Sequence, residues 1–387
     1  MKPEDEFPVP PTIPESEVSP GVQPKPTPLG HGETRFLKWV LIGDHGLRSG
    51  WSVAIFLVLT FLLLITFSAA AKKLISGILH IKTGNSTAAT SIIGEIIFAL
   101  AVLGAIAVCA LIERRRILDY NLRDSRRSLH FLSGIVGGFA ALSLLVGGLF
   151  SGGWLHFGSS SLSGIQIAQY GALWGIAFLL TGLVEEGSTR CYLQFTLTRG
   201  INFWWAFGLI GAMCLCGLLF IHNEGIWGVY AMAALGVLPC LWLHVIRSTS
   251  AGFWQAAWVT STFFGFIHTG NNGENWIGIF SAAAIGFVFC VSIRLTGSAW
   301  WAIGFHAAWD WGQSFFYGTA DSGFVARGHY LTTVPAGATL WSGGTDGPEG
   351  SLLILPLTLL VLIVIIVVYG RKTSQAAPLG APEQVAG

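Results

Sequence analysis

Ten stretches of about twenty mostly apolar residues follow one another along the chain, near 51 to 71, 91 to 112, 131 to 150, 167 to 190, 203 to 221, 226 to 246, 252 to 268, 276 to 294, 298 to 316 and 351 to 370. Each is about long enough to cross the hydrocarbon core of a bilayer as a helix. In that solvent no water satisfies a bare backbone, so a spanning segment of this length has to be helical. Composition agrees: 52% of the residues are hydrophobic and 11% charged, where a soluble domain is usually about a quarter charged. The expected fold class is therefore all-α, a polytopic transmembrane helical bundle of about ten spans with membrane lipids as its surroundings. A net charge of +1 excludes the strongly basic class of nucleic-acid binders.

Lys and Arg in short loops set the orientation. The basic loop "ERRRILDYNLRDSRRS" after the second span is expected in the cytoplasm, and with it both the N-terminus and the C-terminus. Alternation then places Arg199, Arg247, Arg294, Arg371 and Lys372 inside and the charge-free "SGGWLHFGSSSLSG" outside. Lys72, Lys73 and Lys82, on the outer side of the first hairpin, run against this pattern. Residues 1 to 45, rich in Pro and charge, lack the apolar core of a signal peptide and read as a disordered cytoplasmic tail. N-terminal transmembrane helices are expected over 51 to 165, a catalytic helical unit over 166 to 317 with an inserted helix pair near 203 to 246, an extramembrane loop over 318 to 350 that caps the outer face, a last helix over 351 to 370 and a disordered tail over 371 to 387. The six cysteines lie in or beside apolar runs without a C-x-x-C pair, and they read as small buried hydrophobes.

Ionisable groups inside spans are costly, and each is by default a functional hypothesis. "LVEEGSTRCYLQ" places Glu186 and Arg190 at i,i+4 with the acid first, the favourable order for an ion pair. Glu185, about 100° away on the helix, is left as the unpaired carboxylate and suits a general base. A purely structural pairing of both acids with Arg199 or Arg294 stands beside that reading. "FFGFIHTGNNGEN" ends an apolar run at His268, which fits a helix-end residue as well as a functional one. "WWAIGFHAAWDW" sets His306 and Asp310 at i,i+4 on one helix face, inside a span where both need polar partners.

The order E-E-x-x-x-R, F-x-x-x-H, H-x-x-x-D, carried by Glu185, Glu186, Arg190, Phe264, His268, His306 and Asp310, resembles the three motifs of the CPBP family of intramembrane endopeptidases, the CAAX protease and bacteriocin-processing (Abi) group. The resemblance covers roughly 170 to 317. It implies hydrolysis of a peptide bond in a peptide or in a lipidated or prenylated protein. It further implies that Glu185 activates a water with help from His268, that His306 and Asp310 stabilise the oxyanion, and that Glu186 and Arg190 shape the site. "GST" within the first motif, Cys191 after the arginine and Asp310 in place of a frequent Asn depart from the usual pattern, as does the long gap between the first two motifs. An ionised Asp310 cannot donate to an oxyanion, so it acts protonated or by orienting His306. His222 in "LLFIHNEG" is the rival histidine for the second motif.

The preferred reading needs no cofactor. Zinc held by Glu185, His268 and His306 is the alternative, although no H-E-x-x-H stretch is present. A proton-coupled carrier, or an inactive relative that binds lipidated proteins, are the rival functions. The lack of a convincing two-fold repeat weighs against the carrier.

Overall fold

The computed structural model describes residues 40–43, 46–77, 88–160, 162–220, 226–271 and 273–373. Most of the N-terminal tract, Lys82, His222 and the C-terminal residues 374–387 lie outside the described residues.

Every one of the ten apolar stretches is helical. The helices are α1 (Ser49–Gly77), α2 (Ala88–Glu113), α3 (Arg127–Ser151), α4 (Ile165–Glu186), α5 (Gln194–Thr198), α6 (Phe203–Phe220), α7 (Ile226–Val245), α8 (Ala251–His268), α9 (Trp276–Thr296), α10 (Trp300–Asp310), a short α11 (Thr339–Ser342) and α12 (Ile354–Thr373). π-helical segments, Gly187–Leu193 and Trp311–Tyr317, continue α4 into α5 and extend α10. Short two-residue strands, β1 (Ile42–Gly43) and β2 (Gly46–Leu47), pair antiparallel ahead of α1, the first of them at the end of the stretch expected as tail.

Among the described residues, six helices are long and apolar enough to cross a bilayer, with Phe203–Leu219 and Ile354–Gly370 as shorter apolar helices. The two expected spans outside that set are α8 and α10. Their composition explains the difference, because they carry Gln255, Thr260, Ser261, His268, His306 and Asp310 and pack inside the bundle. The outer helices instead turn large apolar side chains outward, as at Phe61, Leu111 and Val136. Such exposure is costly in water and natural against lipid.

Ile165–Thr198 is a single 34-residue helical run, about 50 Å at 1.5 Å per residue. Its second half is polar yet buried: Glu186, Arg190, Gln194 and Thr196 are fully shielded. Protein groups take up part of this polarity. Gln194 Nε2 donates to Phe253 O (3.1 Å) and its Oε1 accepts from Thr260 (3.0 Å). Asn121 Nδ2 donates to Arg190 O (2.8 Å). Arg199 pairs with Glu113 at 2.8 Å rather than with Glu185.

The helix that carries His306 and Asp310 is held by close backbone approach. Gly134 and Gly138 on α3, four residues apart, leave room for the carbonyls of Trp301 and Phe305, and Gly304 on α10 lies against Phe131 O. A Cβ at any of these three positions would collide with main chain. Small residues at this spacing let membrane helices approach closely enough for dispersion to act between backbones. Gly182 brings α4 near α10 less tightly, with Ile303 O and Ala307 N each 3.2 Å from where its Cβ would stand. Leu142, Leu145, Leu149, Phe289, Trp301 and Phe305 form the apolar core beside this contact. The helix pair α6 and α7 packs outside α8 through Phe203, Ile210, Met232 and Cys240.

The segment after α10 folds over the end of α3 opposite the basic loop. Strand β3 (Leu155–Phe157), which follows α3, pairs antiparallel with β4 (Thr333–Pro335), and Trp154 stacks on Trp341 with ring centroids 5.0 Å apart. Trp174 of α4 donates to Arg327 O (3.0 Å).

Gly304→Val is expected to destabilise the protein by about 1–3 kcal/mol, the usual cost of forcing volume into a packed contact, and to lower activity with it. Gly147→Ala, where a Cβ meets nothing within 4 Å, is expected to be neutral. Thermal unfolding of both variants in detergent checks the contrast.

Candidate active site

One cavity of about 410 Å³ lies between α2, α4, α8, α9, α10, α12 and the cap, within the usual size range of a ligand pocket. Glu185, His268, His306 and Asp310 all line it. Three helices far apart in sequence thus bring four of the six expected site residues to a common wall. Glu186 and Arg190 lie behind that wall, fully buried.

The hidden pair holds the exposed groups in place. Arg190 Nε is 3.2 Å from Glu186 Oε2, and Glu186 Oε1 faces His306 Nδ1 at 2.9 Å. Arg190 also donates to Thr189 Oγ1 (2.6 Å). Its guanidinium sits over the Phe264 ring, 4.4 Å from the centroid, with Phe289 at 5.7 Å. Desolvated cation–π contacts of this kind are worth roughly 2 kcal/mol. Phe264, the aromatic of the second motif, therefore touches both ends of the relay, since its ring also meets His306 edge-on at 6.0 Å. Gly286 of α9 provides the space that the guanidinium occupies.

Tautomers follow from these partners. A carbonyl oxygen only accepts, so the 2.7 Å contact between His268 Nδ1 and Phe264 O makes Nδ1 the protonated nitrogen. In the neutral ring Nε2 is then the lone-pair acceptor. The contact lies within the last turn of α8, so His268 ends its helix and lines the cavity at once. For His306, Nδ1 donates to Glu186, while Nε2 is 3.4 Å from Asp310 Oδ2 and 3.9 Å from Glu185 Oε2. Each π-helical segment begins at the residue after a motif acid, Gly187 after Glu186 and Trp311 after Asp310. Single-turn π insertions often occur at functional sites, where they redirect the following side chains.

The chemistry could include a metal if three donors converged. Among the described residues, no group of three His, Cys, Asp or Glu side chains is arranged to hold an ion. Glu185, His268 and His306 are not drawn together as a three-donor set, and no step below passes through a metal.

Several lining residues escape the motif reading. Glu95 of α2 reaches the cavity, as do Asp321, Ser322, Phe324 and Glu349 from the cap. Glu95 had a signal: it stands alone among apolar residues in "SIIGEIIFALAVLG". The cap residues had none beyond the length and polarity of their segment. Ser314 donates to Asp321 Oδ2 (2.8 Å), and Gln313 Nε2 donates to Glu349 Oε1 (2.5 Å). Burial raises the pKa of both Asp321 and Glu349; the Asp321 charge raises Glu349 further, whereas hydrogen bonds from Ser314 and Glu349 pull Asp321 back down.

Below the cap, Asn275 caps α9 by accepting from Ile277 N and Gly278 N, and its own N–H donates to Asp346 Oδ2 (3.1 Å). Asp346 and Glu274 lie side by side against Gly278. Burial first, and the neighbouring Asp346 second, push Glu274 up to about 8. Asp346 is pushed up to about 7 by burial, against the Asn275 hydrogen bond that lowers it.

A family model, that of the type II CAAX prenyl endopeptidase Rce1-like proteins, matches residues 241–312. The matched segment contains the second and third motifs, with His268, His306 and Asp310, and stops short of the first. The match supports a CPBP-family intramembrane protease. No curated protein and no solved structure matches the chain. With six helices long and apolar enough to cross a bilayer among its described residues, the chain is a multi-pass integral membrane protein that is similar over residues 241–312 to type II CAAX prenyl endopeptidases.

Acids raised in the folded state bind a proton that the unfolded chain has already lost, so stability falls as pH rises. For Glu274 and Asp346 that loss spans the interval from their unfolded values near 4 up to about 8 and about 7. Glu274→Gln is expected to flatten the fall in thermal midpoint between pH 5 and 9. Melting curves across that range decide it, an unchanged slope being the contrary result.

Proposed function

We propose that the protein hydrolyses a peptide bond in a membrane-associated substrate through a water activated by Glu185. The observation that carries this reading is that Glu185, His268, His306 and Asp310, from three separate helices, line one cavity. A water there has two protons to place. One goes to the Glu185 carboxylate, and the other is hydrogen-bonded by the lone pair on His268 Nε2. As its oxygen bonds to the scissile carbonyl carbon, the carbonyl oxygen becomes an oxyanion. His306, with Nδ1–H committed to Glu186, acts as an imidazolium and donates from Nε2 to that oxyanion. Asp310, 3.4 Å from the same nitrogen, supplies counter-charge and orients the ring. Collapse of the intermediate breaks the C–N bond, and the amine departs with the proton that Glu185 received.

The remaining assignments belong to the same proposal. Glu186 and Arg190 are positioning residues that fix His306 and Phe264. Lipidated proteins, prenylated ones among them, are the substrate kind that the family match suggests. The basic loop and the cap lie at opposite ends of α3, which together with the positive-inside rule supports a cytoplasmic loop and termini and an outer cap.

Cleavage of a panel of lipidated and plain peptides by the purified protein tests the reading. Glu185→Gln is expected to lose about a thousandfold in kcat and His268→Ala about a hundredfold, the range of general acid–base contributions. Wild-type activity is expected to survive a chelator. Full activity in both variants would overturn the mechanism, and loss with chelator alone would return it to zinc.

A further inference from the structure

A second cavity, a groove of about 530 Å³, opens where the start of α6, the end of α7 and the start of α8 come together. It lies on the basic-loop side of the bundle. A Cβ at Gly252 on its wall would stand 2.9 Å from Thr198 O, and the next residue, Arg199, pairs with Glu113 at the head of that loop. The wall carries Asn202, His244, Arg247, Ser248, Gly252 and Gln255, and among its described lining residues there is no Asp or Glu. Gln255 is the sharpest feature. It is 3% exposed, and among the described residues neither end of its amide has a hydrogen-bond partner. The amide is not sealed from solvent, so what exposure it has opens on the groove. Gln194, the neighbouring buried amide, has both ends bonded, to Phe253 O and to Thr260. Buried polar groups are nearly always paired, so Gln255 calls for a partner from outside the chain.

The surroundings define that partner as an anion. α6 and α8, of 18 residues each, both begin at the groove. Ser250, which precedes α8, makes no side-chain capping bond, and the Gly252 N–H in the first turn has no acceptor among the described residues. Helix starts with bare N–H groups attract phosphate. Arg247 closes α7 at a left-handed position (φ 51°) where glycine is usual, and it forms no ion pair among the described residues. Ile246 N, Ser248 N and Arg247 N occupy the carbonyls of Trp242, Leu243 and His244, so the end of α7 does not turn bare acceptors on an anion. His244 stacks on Phe203 with ring centroids 4.7 Å apart, which fixes its ring at the wall. Trp204, Phe207, Leu241 and Trp242, from the same helix ends, are exposed, and exposed Trp at helix ends marks the headgroup level of a bilayer. We propose that this groove binds the phosphate of an anionic phospholipid headgroup through the Arg247 guanidinium, the Gln255 amide and the first-turn N–H groups of α8. A guanidinium presents a planar fork of donors that matches phosphate, and His244 and Ser248 add further donors. A soluble phosphate ester has the same head chemistry, but Phe207 and Leu241 offer an apolar bed that only acyl chains would use. The bound lipid bridges α6, α7 and α8, and so braces the helix whose far end carries His268.

Native mass spectrometry of the full-length protein in detergent tests this, with titrations of dioleoylphosphatidylglycerol, dioleoylphosphatidylcholine and glycerol phosphate. The first phosphatidylglycerol is expected to bind about tenfold more tightly than phosphatidylcholine, and glycerol phosphate at the same concentration is expected not to displace it. Arg247→Gly separates binding from folding, because glycine suits the left-handed position while the guanidinium is lost. It is expected to lower phosphatidylglycerol affinity about fivefold or more, the scale of one basic side chain at an anionic headgroup, with the lipid-free thermal midpoint unchanged or raised. Gln255→Leu is expected to lower the affinity several-fold as well. Arg114→Gly, at the left-handed position (φ 55°) that ends α2 outside the groove, is expected to bind like the wild type. Equal phosphatidylglycerol affinity in the wild type and both groove variants, or no preference over phosphatidylcholine, would overturn the proposal. Displacement by glycerol phosphate at matched concentration would overturn the lipid assignment in favour of a soluble phosphate ester.

Discussion

Arg190 and Glu186 are fully buried and His306 bridges from them to the cavity, and each needs the others to be there. A buried guanidinium or carboxylate left alone costs several kcal/mol, and pairing offsets this only with close geometry and further hydrogen bonds. Here the carboxylate of Glu186 spans the other two, 3.2 Å from one and 2.9 Å from the other, while Phe264 closes over the guanidinium. The relay turns the edge of His306 toward the cavity. It also fixes the relative rotation of α4 and α10, and through Phe264 that of α8.

Such a relay forms only where helices approach far more closely than leucine-lined surfaces allow. Gly182, Gly304 and the Gly134/Gly138 pair remove the side chains that would keep α3, α4 and α10 apart. The π-helical segments act in the same region by changing the phase of the helix after each motif acid. In Gly187–Leu193 this leaves Arg190 O to be taken by Asn121 from the basic loop. The loop that reports topology by its charge thus also braces the site.

Much of this was legible in the residues. Runs of apolar side chains mark every helix that the bundle uses, because lipid imposes one length and one secondary structure. The i,i+4 spacing of Glu186 and Arg190 anticipates their contact, and that of His306 and Asp310 anticipates theirs. What spacing cannot supply is the partner on another helix. That Glu186 reaches His306, or that Arg199 takes Glu113 rather than Glu185, depends on how helices rotate against each other. π geometry and the closeness permitted by Gly134 and Gly304 likewise arise from tertiary contact. Asp321 and Glu349 were hidden for a different reason: cap segments fold by irregular hydrogen bonds that have no periodic signature. Glu95 was legible in principle, as a lone acid in an apolar span.

The relay is most directly tested by a double-mutant cycle on Glu186→Gln and His306→Gln, with unfolding free energy measured in a mild detergent. Residues in one buried network show coupling of about 0.5–3 kcal/mol, whereas independent sites add to within about 0.5 kcal/mol. Coupling above 1 kcal/mol is the predicted result. Strict additivity would mean that the two side chains do not meet in the folded protein, and it would contradict the account.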